Sequence, residues 1–282
     1  MRARQRKSPG HPKKEAGARK GFRISIAAVA INTMNDDAQE ATSLASLASD
    51  PHARVMVFID GQNSYKSCQR LFGEPHVNPR LLALHLAGPR TVNRVACRFY
   101  TGRPNPNIPG EGTKAQRLDR RLEAIRKSGV TVVMRPLRYH WDWGHRESLP
   151  RPEAGAPSQT VTLSPWQRPQ EKGIDVVMAL DVIDFVLTGV CDVAIVCSLD
   201  RDLAEIPGAL YKLARVVTRP FRLEAAVPVA GGEAIKTMRG FKYTHQITPE
   251  VFNLVRDATR YDVPEGDWVL PVLPTELPGP SS

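Results

Sequence analysis

One stretch of ten residues, Val193–Asp202, places the tightest limit on the fold. Val193–Cys197 is an unbroken apolar run, which is typical of a strand buried on both faces of a parallel sheet. The run leads into Ser198, and two acids follow at Asp200 and Asp202. Because ligands of open α/β sheets bind just beyond the carboxyl ends of the strands, both carboxylates can face one point there. Their mutual repulsion indicates a site for a cation.

Apolar runs of strand length alternate with helical patterns along the body of the chain. The spacing of apolar residues in Lys114–Lys127, for example, predicts an amphipathic helix. The predicted strands are Val55–Ile59, Val92–Tyr100, Val130–Met134, Asp192–Cys197 and Leu223–Val229. The predicted helices begin near Ser64, Asn78, Lys114, Glu171, Leu203, Glu233 and Pro249. This alternation predicts an α/β fold with a parallel sheet and helices on both of its faces.

The distributions of charge and proline divide the chain into an arm, one domain and a tail. The net charge of +10 is concentrated in residues 1–33, and residues 1–53 are predicted to form a disordered basic arm and linker. The domain is predicted to span residues 54–262, with an insertion rich in proline and tryptophan at about 139–170. Residues 263–282 are predicted to form a proline-rich, disordered tail.

The amino-terminal arm allows two further interpretations. A basic stretch before the short apolar run Ile24–Ile31 resembles a secretory signal, but no clear cleavage site follows it. Alternatively, translation starts at Met34, and residues 1–33 are an over-extended reading frame. The apolar run is too short to span a bilayer, so no membrane partner is expected.

The four cysteines, Cys68, Cys97, Cys191 and Cys197, predict a reducing environment. None of them forms a C-x-x-C pair, and three lie in apolar surroundings typical of strands. Buried free thiols fit this pattern better than zinc ligands or disulfides. We therefore expect a cytoplasmic protein.

Two further acids stand at the end of a predicted strand or at the start of a predicted helix. Asp60 comes directly after the apolar run Val55–Ile59, and Asp175 lies in the first turn of a predicted helix. If the strands that precede Asp60 and Asp200 are neighbours, their acids converge. Each acid also has a structural explanation, because Asp60 fits a turn before Gly61 and Asp175 fits a helix cap. An all-oxygen cluster of this kind suits Mg²⁺ or Mn²⁺.

Three motifs stand in a fixed order around these acids. They are Phe-Ile-Asp-Gly-Gln-Asn at 58–63, Glu-Lys-Gly-Ile-Asp-Val-Val-Met-Ala-Leu-Asp at 171–181, and Cys-Ser-Leu-Asp-Arg-Asp at 197–202. Together they resemble the motifs of the NYN domain family of PIN-like, metal-dependent ribonucleases, including its LabA group. The resemblance covers about residues 54–258. It implies a PIN-like three-layer α/β/α sandwich with a central, mainly parallel sheet of five to six strands, a Mg²⁺ or Mn²⁺ site, and RNA as the substrate.

The resemblance also implies a role for individual motif residues. Four acids are implied to hold the metal and to carry catalysis: Asp60, Asp175, Asp200 and Asp202. Three other residues are implied to position the substrate: Asn63, Lys172 and Ser198. Arg201, which lies between the last two acids, is expected to help position the substrate as well. Asp181 lies about 240° around the helix from Asp175, so we expect it on the helix surface or behind the ligands.

Two departures from the family pattern keep other functions open. Leu199 stands where the family commonly has glycine, and Arg201 stands where it commonly has serine between the two acids. They motivate the alternative of a non-catalytic RNA-binding or regulatory protein that retains the acidic pocket. A third alternative is a phosphatase or receiver-like protein with Asp60 as its nucleophile, although Gln62 occupies the place of the second acid that such phosphatases need.

A basic segment supplies the predicted contacts with RNA. Residues 90–138 hold twelve lysines and arginines against three acids, an excess beyond the ordinary alternation of a solvated helix face. Five of them are expected to bind RNA phosphates: Arg98, Arg103, Lys114, Arg117 and Arg121. Four aromatic residues nearby are candidates for stacking on unpaired bases, with core packing as the alternative: Tyr100, Tyr139, Trp141 and Trp143. RNA is the expected partner, and the sequence leaves a homo-oligomer open.

Overall fold

The computed structural model describes residues 47–142, 166–213, 220–230 and 238–259. All of them belong to one compact unit of the chain. The predicted basic arm up to residue 46, most of the insertion (143–165) and the proline-rich tail lie outside the described residues. The predicted domain boundaries and the predicted disorder therefore stay predictions.

The described part of the chain alternates strands and helices. The strands are β1 (Val55–Asp60), β2 (Val95–Arg103), β3 (Thr131–Pro136), β4 (Arg138–Asp142), β5 (Trp166–Gln170), β6 (Val193–Cys197), β7 (Arg222–Pro228) and β8 (Tyr243–Ile247). The main helices are α1 (Gly61–Phe72), α2 (Pro79–Ala87), α3 (Gly112–Lys127), α4 (Ile174–Leu187), α5 (Glu205–Leu213) and α6 (Pro249–Val255). Short 3₁₀ helices cover Val92–Arg94 and Arg201–Ala204.

Six of these strands form one parallel sheet. Their order is β3-β2-β1-β6-β7-β8, and each neighbouring pair runs parallel. The direction in which the chain adds strands reverses between β1 and β6, which is where ligands bind in doubly wound sheets. The strands β4 and β5 pair antiparallel as a separate hairpin.

Helices cover both faces of this sheet. Successive residues of β1 point to opposite faces, so Val57 joins one hydrophobic cluster and Phe58 joins the other. The helices α1, α2, α3 and α6 contribute to the first cluster, and α4 and α5 contribute to the second. The predicted three-layer α/β/α sandwich with a parallel central sheet is confirmed, and this sheet has six strands.

The strands β1 and β6 lie at the centre of the sheet. Every residue of both strands is buried, which accounts for the unbroken apolar runs in the sequence. The two strands pair directly, with Ile59 opposite Cys197. The expectation that the strands preceding Asp60 and Asp200 are neighbours is therefore confirmed.

Several elements differ from the sequence prediction. The helix α1 begins at Gly61 rather than near Ser64, because the carboxylate of Asp60 caps it. The sequence analysis does not predict β8, since its residues are mostly polar and the strand lies at the edge of the sheet. β2 begins later than predicted because a 3₁₀ helix occupies Val92–Arg94.

Three other sequence features can be placed. All four cysteines are buried free thiols. Among the described helices, none has both the length and the apolar character needed to cross a bilayer. The predicted helix that begins near Glu233 falls mostly on residues 231–237, which lie outside the described residues.

Candidate active site

Asp60 is fixed by groups from two elements. It is the last residue of β1, and it is only 4% exposed. Its Oδ1 accepts a hydrogen bond from the amide of Asn63 at 2.9 Å, and its Oδ2 accepts one from Ser198 Oγ at 3.0 Å. Asp60 is thus both the N-cap of α1 and the partner of the loop after β6. Its orientation is set from both central strands.

The loop after β6 is also joined to α1 through its backbone. The amide of Leu199 donates to Asn63 Oδ1 at 2.9 Å, and the amide of Asp200 donates to Ser198 Oγ at 3.1 Å. No described residue other than glycine has a positive φ, so Leu199 does not need the conformational freedom of a glycine. The departure from the family pattern at Leu199 is compatible with this loop.

Asp200 and Asp202 lie on either side of Arg201 at the start of a 3₁₀ helix. Asp200 caps this helix, because its Oδ1 accepts a hydrogen bond from the amide of Asp202 at 3.0 Å. Asp200 is half-buried, whereas Arg201 and Asp202 are exposed to solvent. The side chain of Arg201 is therefore not packed into the space between the acids.

Burial and neighbouring acids raise the pKa of Asp60 and of Asp175. Burial and then the charges of Asp175 and Asp200 raise the pKa of Asp60, and these effects outweigh its two hydrogen bonds. Asp175 lies in the first turn of α4, where burial and the charges of Asp200 and Asp202 raise its pKa. Charges couple in this way only at short range. Asp60 ends β1, and Asp200 follows the paired strand β6. The helix α4, which carries Asp175 in its first turn, packs against β1 and against the 3₁₀ helix that holds Asp202. The four acids therefore lie at one edge of the sheet.

Glu171 is a fifth acid at this edge that the sequence analysis does not assign. Burial, followed by the charges of Asp60 and Asp175, raises the pKa of Glu171 to about 7. The amide of Gly102 donates to its carboxylate, while Glu171 Oε1 is buried without a hydrogen-bond partner. A Cβ atom at Gly102 would clash with Leu137 Cδ2 and would also lie 3.3 Å from Glu171 Cδ, so both close approaches favour glycine. The sequence offers one signal for Glu171, because it is the first residue of the second motif and directly precedes Lys172.

Two lysines bring positive charge to the edge of the site. The charge of Lys66 acts on Glu171 and opposes the rise in its pKa. Lys66 is not among the predicted site residues, although it lies three residues after Asn63 on α1 and therefore on the same side of the helix. Lys172 is exposed.

Asp181 does not join the acidic cluster. Its Oδ2 accepts a hydrogen bond from the hydroxyl of Tyr100 at 2.7 Å and lies 3.0 Å from Arg98 Nη2. The guanidinium of Arg98 also lies 4.9 Å from the ring centre of Phe185. Tyr100 is fully buried, so core packing rather than base stacking describes this aromatic residue. The structure places Arg98 in this network instead of beside the acids.

Three of the predicted RNA contacts lie on the strand β2 or on the helix α3 near its amino-terminal end. Arg103 pairs with Asp119, with 2.7 Å between Nη2 and Oδ2, and Lys114 pairs with Glu111, with 2.6 Å between Nζ and Oε1. Arg117 is exposed. Lys114 and Arg117 belong to α3, and Arg103 pairs with Asp119 of the same helix. As RNA contacts, all three stay predictions.

Arg121 differs from the other basic residues of α3 because it is 9% exposed. Its Nη2 donates to the carbonyl of Val77 at 3.2 Å, and its Nε lies 3.5 Å from Asp257 Oδ2. The guanidinium also lies 5.7 Å from the ring centre of Phe99. Arg121 thus anchors α3 to neighbouring segments, and little of it can reach a phosphate in solvent.

The remaining aromatic candidates are only partly described. The hydroxyl of Tyr139 accepts a hydrogen bond from the amide of Asn105 at 2.8 Å and donates to Glu111 Oε2 at 3.3 Å. The side chain of Trp141 and all of Trp143 lie outside the described part of the chain. Stacking of these residues on RNA bases stays a prediction.

The chemistry of the donors at this edge fits a hard cation. Each donor is a carboxylate oxygen, the ligand type that Mg²⁺ and Mn²⁺ prefer. Among the described residues, no three histidine, cysteine or carboxylate side chains are arranged closely enough to hold a metal ion by themselves. Mg²⁺ commonly takes one or two carboxylates and keeps several waters, so a closed cage of three is not required.

Comparison with known proteins identifies the family to which the chain belongs. A model of the NYN domain matches residues 54–218, more than half of the chain. Among solved structures, the chain is similar to a protein of unknown function from Vibrio parahaemolyticus, with 13% identity, 71% of this chain and 95% of that chain covered, and a TM-score of 0.40. A likeness of that degree supports no inference about activity. A comparison with curated proteins finds no match. The chain belongs to the NYN domain family of PIN-like proteins.

Proposed function

We propose that this protein is a divalent-metal-dependent ribonuclease that hydrolyses phosphodiester bonds of single-stranded RNA. One observation carries the proposal: acids from three segments meet where the sheet order reverses. Asp60 ends β1, and Asp200 follows the paired strand β6 and is joined to Asp60 through Ser198. Glu171 and Asp175 stand just before α4 and in its first turn. Such crowding is unfavourable unless a cation offsets it. Membership of a nuclease-like family supports the same function. The buried free cysteines support action in the cytoplasm.

The proposed cofactor is Mg²⁺ or Mn²⁺. Asp60, Asp175, Asp200 and Asp202 would hold it, one or two of them directly and the others through its waters, and Glu171 lies close enough to Asp60 and Asp175 to contribute. A bound ion of this kind activates a water and neutralises charge on the reacting phosphate. The hydrogen bond that Asp60 accepts from Ser198 keeps its carboxylate oriented before any ligand arrives.

Positive side chains around the acids would position the RNA backbone. Lys66 acts on Glu171 through its charge, and both Lys172 and Arg201 are exposed beside the acidic cluster. We propose that these three hold phosphates on either side of the bond to be cleaved, because ammonium and guanidinium groups bind phosphate oxygens strongly. Lys114 and Arg117 would extend this contact along the strand.

The alternative is a protein that binds RNA without cleaving it. It rests on Leu199 and Arg201, the two departures from the family pattern in the third motif; a further departure is that Gln246 and Thr248 lie roughly where many members carry another acid. The loop accommodates Leu199 without a positive φ, and Arg201 is exposed. Neither Leu199 nor Arg201 occupies the position of an acid, and the four acids of the cluster are in place, so we favour the enzyme.

Cleavage of a labelled single-stranded RNA, with and without metal, tests the proposal. We expect product with Mg²⁺ or Mn²⁺ and none with excess EDTA. Asp200→Asn should lower the rate at least about 100-fold, because the neutral amide would hold the metal ion less well than the carboxylate, and the ion would stabilise the transition state. Asp184→Asn is the matched control, since Asp184 is an exposed acid near the other end of α4.

Metal binding can be read without relying on activity. We expect Mn²⁺ to raise the thermal midpoint of the unmodified protein, because a ligand that binds only the folded state stabilises it. The rise should be lost in Asp200→Asn and kept in Asp184→Asn. Salt-dependent RNA binding with no cleavage in either metal would instead establish the non-catalytic alternative.

A further inference from the structure

A cavity of about 670 Å³ opens beside the acidic cluster, between α1, α3 and the end of β2. Gly61 and Gln62, which directly follow Asp60, form part of one wall. Glu171 forms part of the boundary with the acids. The cavity and the acidic cluster are therefore neighbours that share Glu171.

The interior of this cavity suits a flat, apolar ring. Phe99, Leu118 and Leu137 contribute apolar surface to its lining. Tyr65 also lines it, is 45% exposed, and lies with its ring centre 5.3 Å from that of His76. An aromatic side chain held by a neighbour but still open on part of its surface is a stacking platform for a base.

Polar atoms without partners concentrate in the same lining. Among the described residues, four buried side-chain nitrogen or oxygen atoms have no hydrogen-bond partner. Three of the four belong to residues that line this cavity: His76 Nδ1, Arg121 Nε and Glu171 Oε1. Arg121 Nε faces Asp257 Oδ2 at 3.5 Å, but buried polar groups are normally satisfied, so His76 Nδ1 and Glu171 Oε1 indicate hydrogen-bonding atoms kept for a polar ligand.

Positive charge in the lining of the cavity complements a phosphate. Lys114 and Arg117 both line it and are both exposed. A ligand that places a ring among Phe99, Leu118 and Tyr65 can therefore meet both the cations of α3 and Glu171 of the acidic cluster. A single nucleotide unit, with an apolar ring, hydrogen-bonding edges and flanking phosphates, has this combination of properties.

We propose that this cavity binds the base of the nucleotide next to the phosphate that is cleaved, in a single-stranded RNA. The volume lies within the ordinary range for pockets that take one small molecule. A base enters such a pocket only when it is not paired, so the cavity selects unpaired RNA over a duplex. The inference rests on the proposed nuclease function for the identity of the neighbouring phosphate.

Binding to the full chain in the Asp200→Asn background tests this inference without turnover. The probe is a fluorescein-labelled decamer of single-stranded RNA, followed by fluorescence anisotropy. Tyr65→Ala should weaken binding about 10-fold, as expected for loss of one stacked base. Tyr243→Ala is the matched control, because Tyr243 is 53% exposed and also packs against a histidine, with 4.7 Å between its ring centre and that of His245, but it does not line the cavity.

A decamer series in which one nucleotide at a time lacks its base separates base recognition from phosphate attraction. The background protein should bind at least one abasic decamer about 10-fold more weakly than the complete one, and Tyr65→Ala should bind both nearly equally. Unchanged affinity in Tyr65→Ala, or equal loss in Tyr243→Ala, would overturn the inference. Cleavage by the unmodified protein is measured separately, so base binding without cleavage would refute the nuclease and leave the base pocket standing.

Discussion

At the scale of single residues, the hydroxyl of Ser198 joins the two halves of the acidic site. It is 3% exposed, donates to Asp60 Oδ2 and accepts from the amide of Asp200. Ser198→Ala leaves a buried carboxylate oxygen and an amide without these partners. We expect the free energy of unfolding in urea to fall by about 1–3 kcal/mol and the RNA cleavage rate to fall as well.

Ser128→Ala provides the control for this substitution. Ser128 Oγ donates to the carbonyl of Ile125 at 2.7 Å, near the end of α3 and away from the acids. That variant should lose a little stability and keep its cleavage rate. Equal losses of cleavage in the two variants at a temperature where both are folded would refute a positioning role for Ser198.

His76 makes stability depend on pH. Burial and the charge of Arg121 lower its pKa from 6.5 to about 4, although Asp257 opposes the shift. Below pH 6.5 the unfolded chain takes up a proton that the folded chain resists, so stability falls as the pH drops from about 6.5 towards 4. Because His76 is only half-buried, we expect on the order of 1 kcal/mol between pH 7.5 and 5.

Urea unfolding of His76→Gln at both pH values measures this contribution. The variant should lose less stability than the unmodified protein between pH 7.5 and 5. His52→Gln, at an exposed histidine, should behave like the unmodified protein. A variant with the same pH dependence as the unmodified protein would show that His76 takes up its proton equally in both states.

At the scale of elements, α1 starts so close to β2 that the first residue of the helix has no room for a side chain. A Cβ atom at Gly61 would lie 2.6 Å from Phe99 Cζ and 2.6 Å from the carbonyl oxygen of Tyr100. Gly61→Ala should therefore destabilise the fold by about 1–3 kcal/mol, as overpacking does. The reason is this contact with β2 and not a turn that needs a positive φ.

Gly208→Ala is the opposite case within α5. A Cβ atom there meets nothing within 4 Å, and alanine favours a helix by about 0.5–1 kcal/mol over glycine. Thermal midpoints should therefore move in opposite directions for the two glycine variants. A rise in both would show that α1 can shift away from β2 at little cost.

Elements that are buried on both sides were predictable from the sequence, whereas those set by distant contacts were not. The runs of β1 and β6 are apolar throughout because helices cover both faces of the sheet. β8 alternates polar residues at an edge, so its sequence carries no comparable signal. In the site, Asp60 and Asp200 followed from their strands, but Glu171 depends on the approach of its segment to Gly102, which no local pattern encodes.

At the scale of the whole molecule, a buried ionic network joins segments that are distant in the chain. Glu224 on β7 is 2% exposed and contacts Arg222, His245 at 2.6 Å and Arg90 at 3.7 Å. Arg90 also donates to the carbonyls of Leu47, Ala48 and Ala87. One carboxylate thereby connects the segment before β1, the end of α2, β7 and the edge strand β8.

Removing the charge of Glu224 should weaken the entire fold. Burial by itself would raise its pKa, but the hydrogen bond from His245 and the groups of Arg222 and Arg90 outweigh burial and hold the pKa below 4.5. Glu224→Gln leaves a buried arginine uncompensated, so we expect a loss of about 3 kcal/mol in urea unfolding at pH 7. Glu123→Gln, which removes an exposed pair with Arg126 at 3.5 Å, should cost less than about 1 kcal/mol.

The pH dependence of the Glu224 contribution has a definite sign. A carboxyl whose pKa is lower in the folded state stabilises the fold fully above its unfolded pKa of 4.5, and this contribution is lost as the pH falls through the folded pKa. The difference in the free energy of unfolding between the unmodified protein and Glu224→Gln should therefore narrow as the pH falls below 4.5. A gap that stays constant down to pH 3 would mean that packing of the side chain, and not its charge, connects these segments.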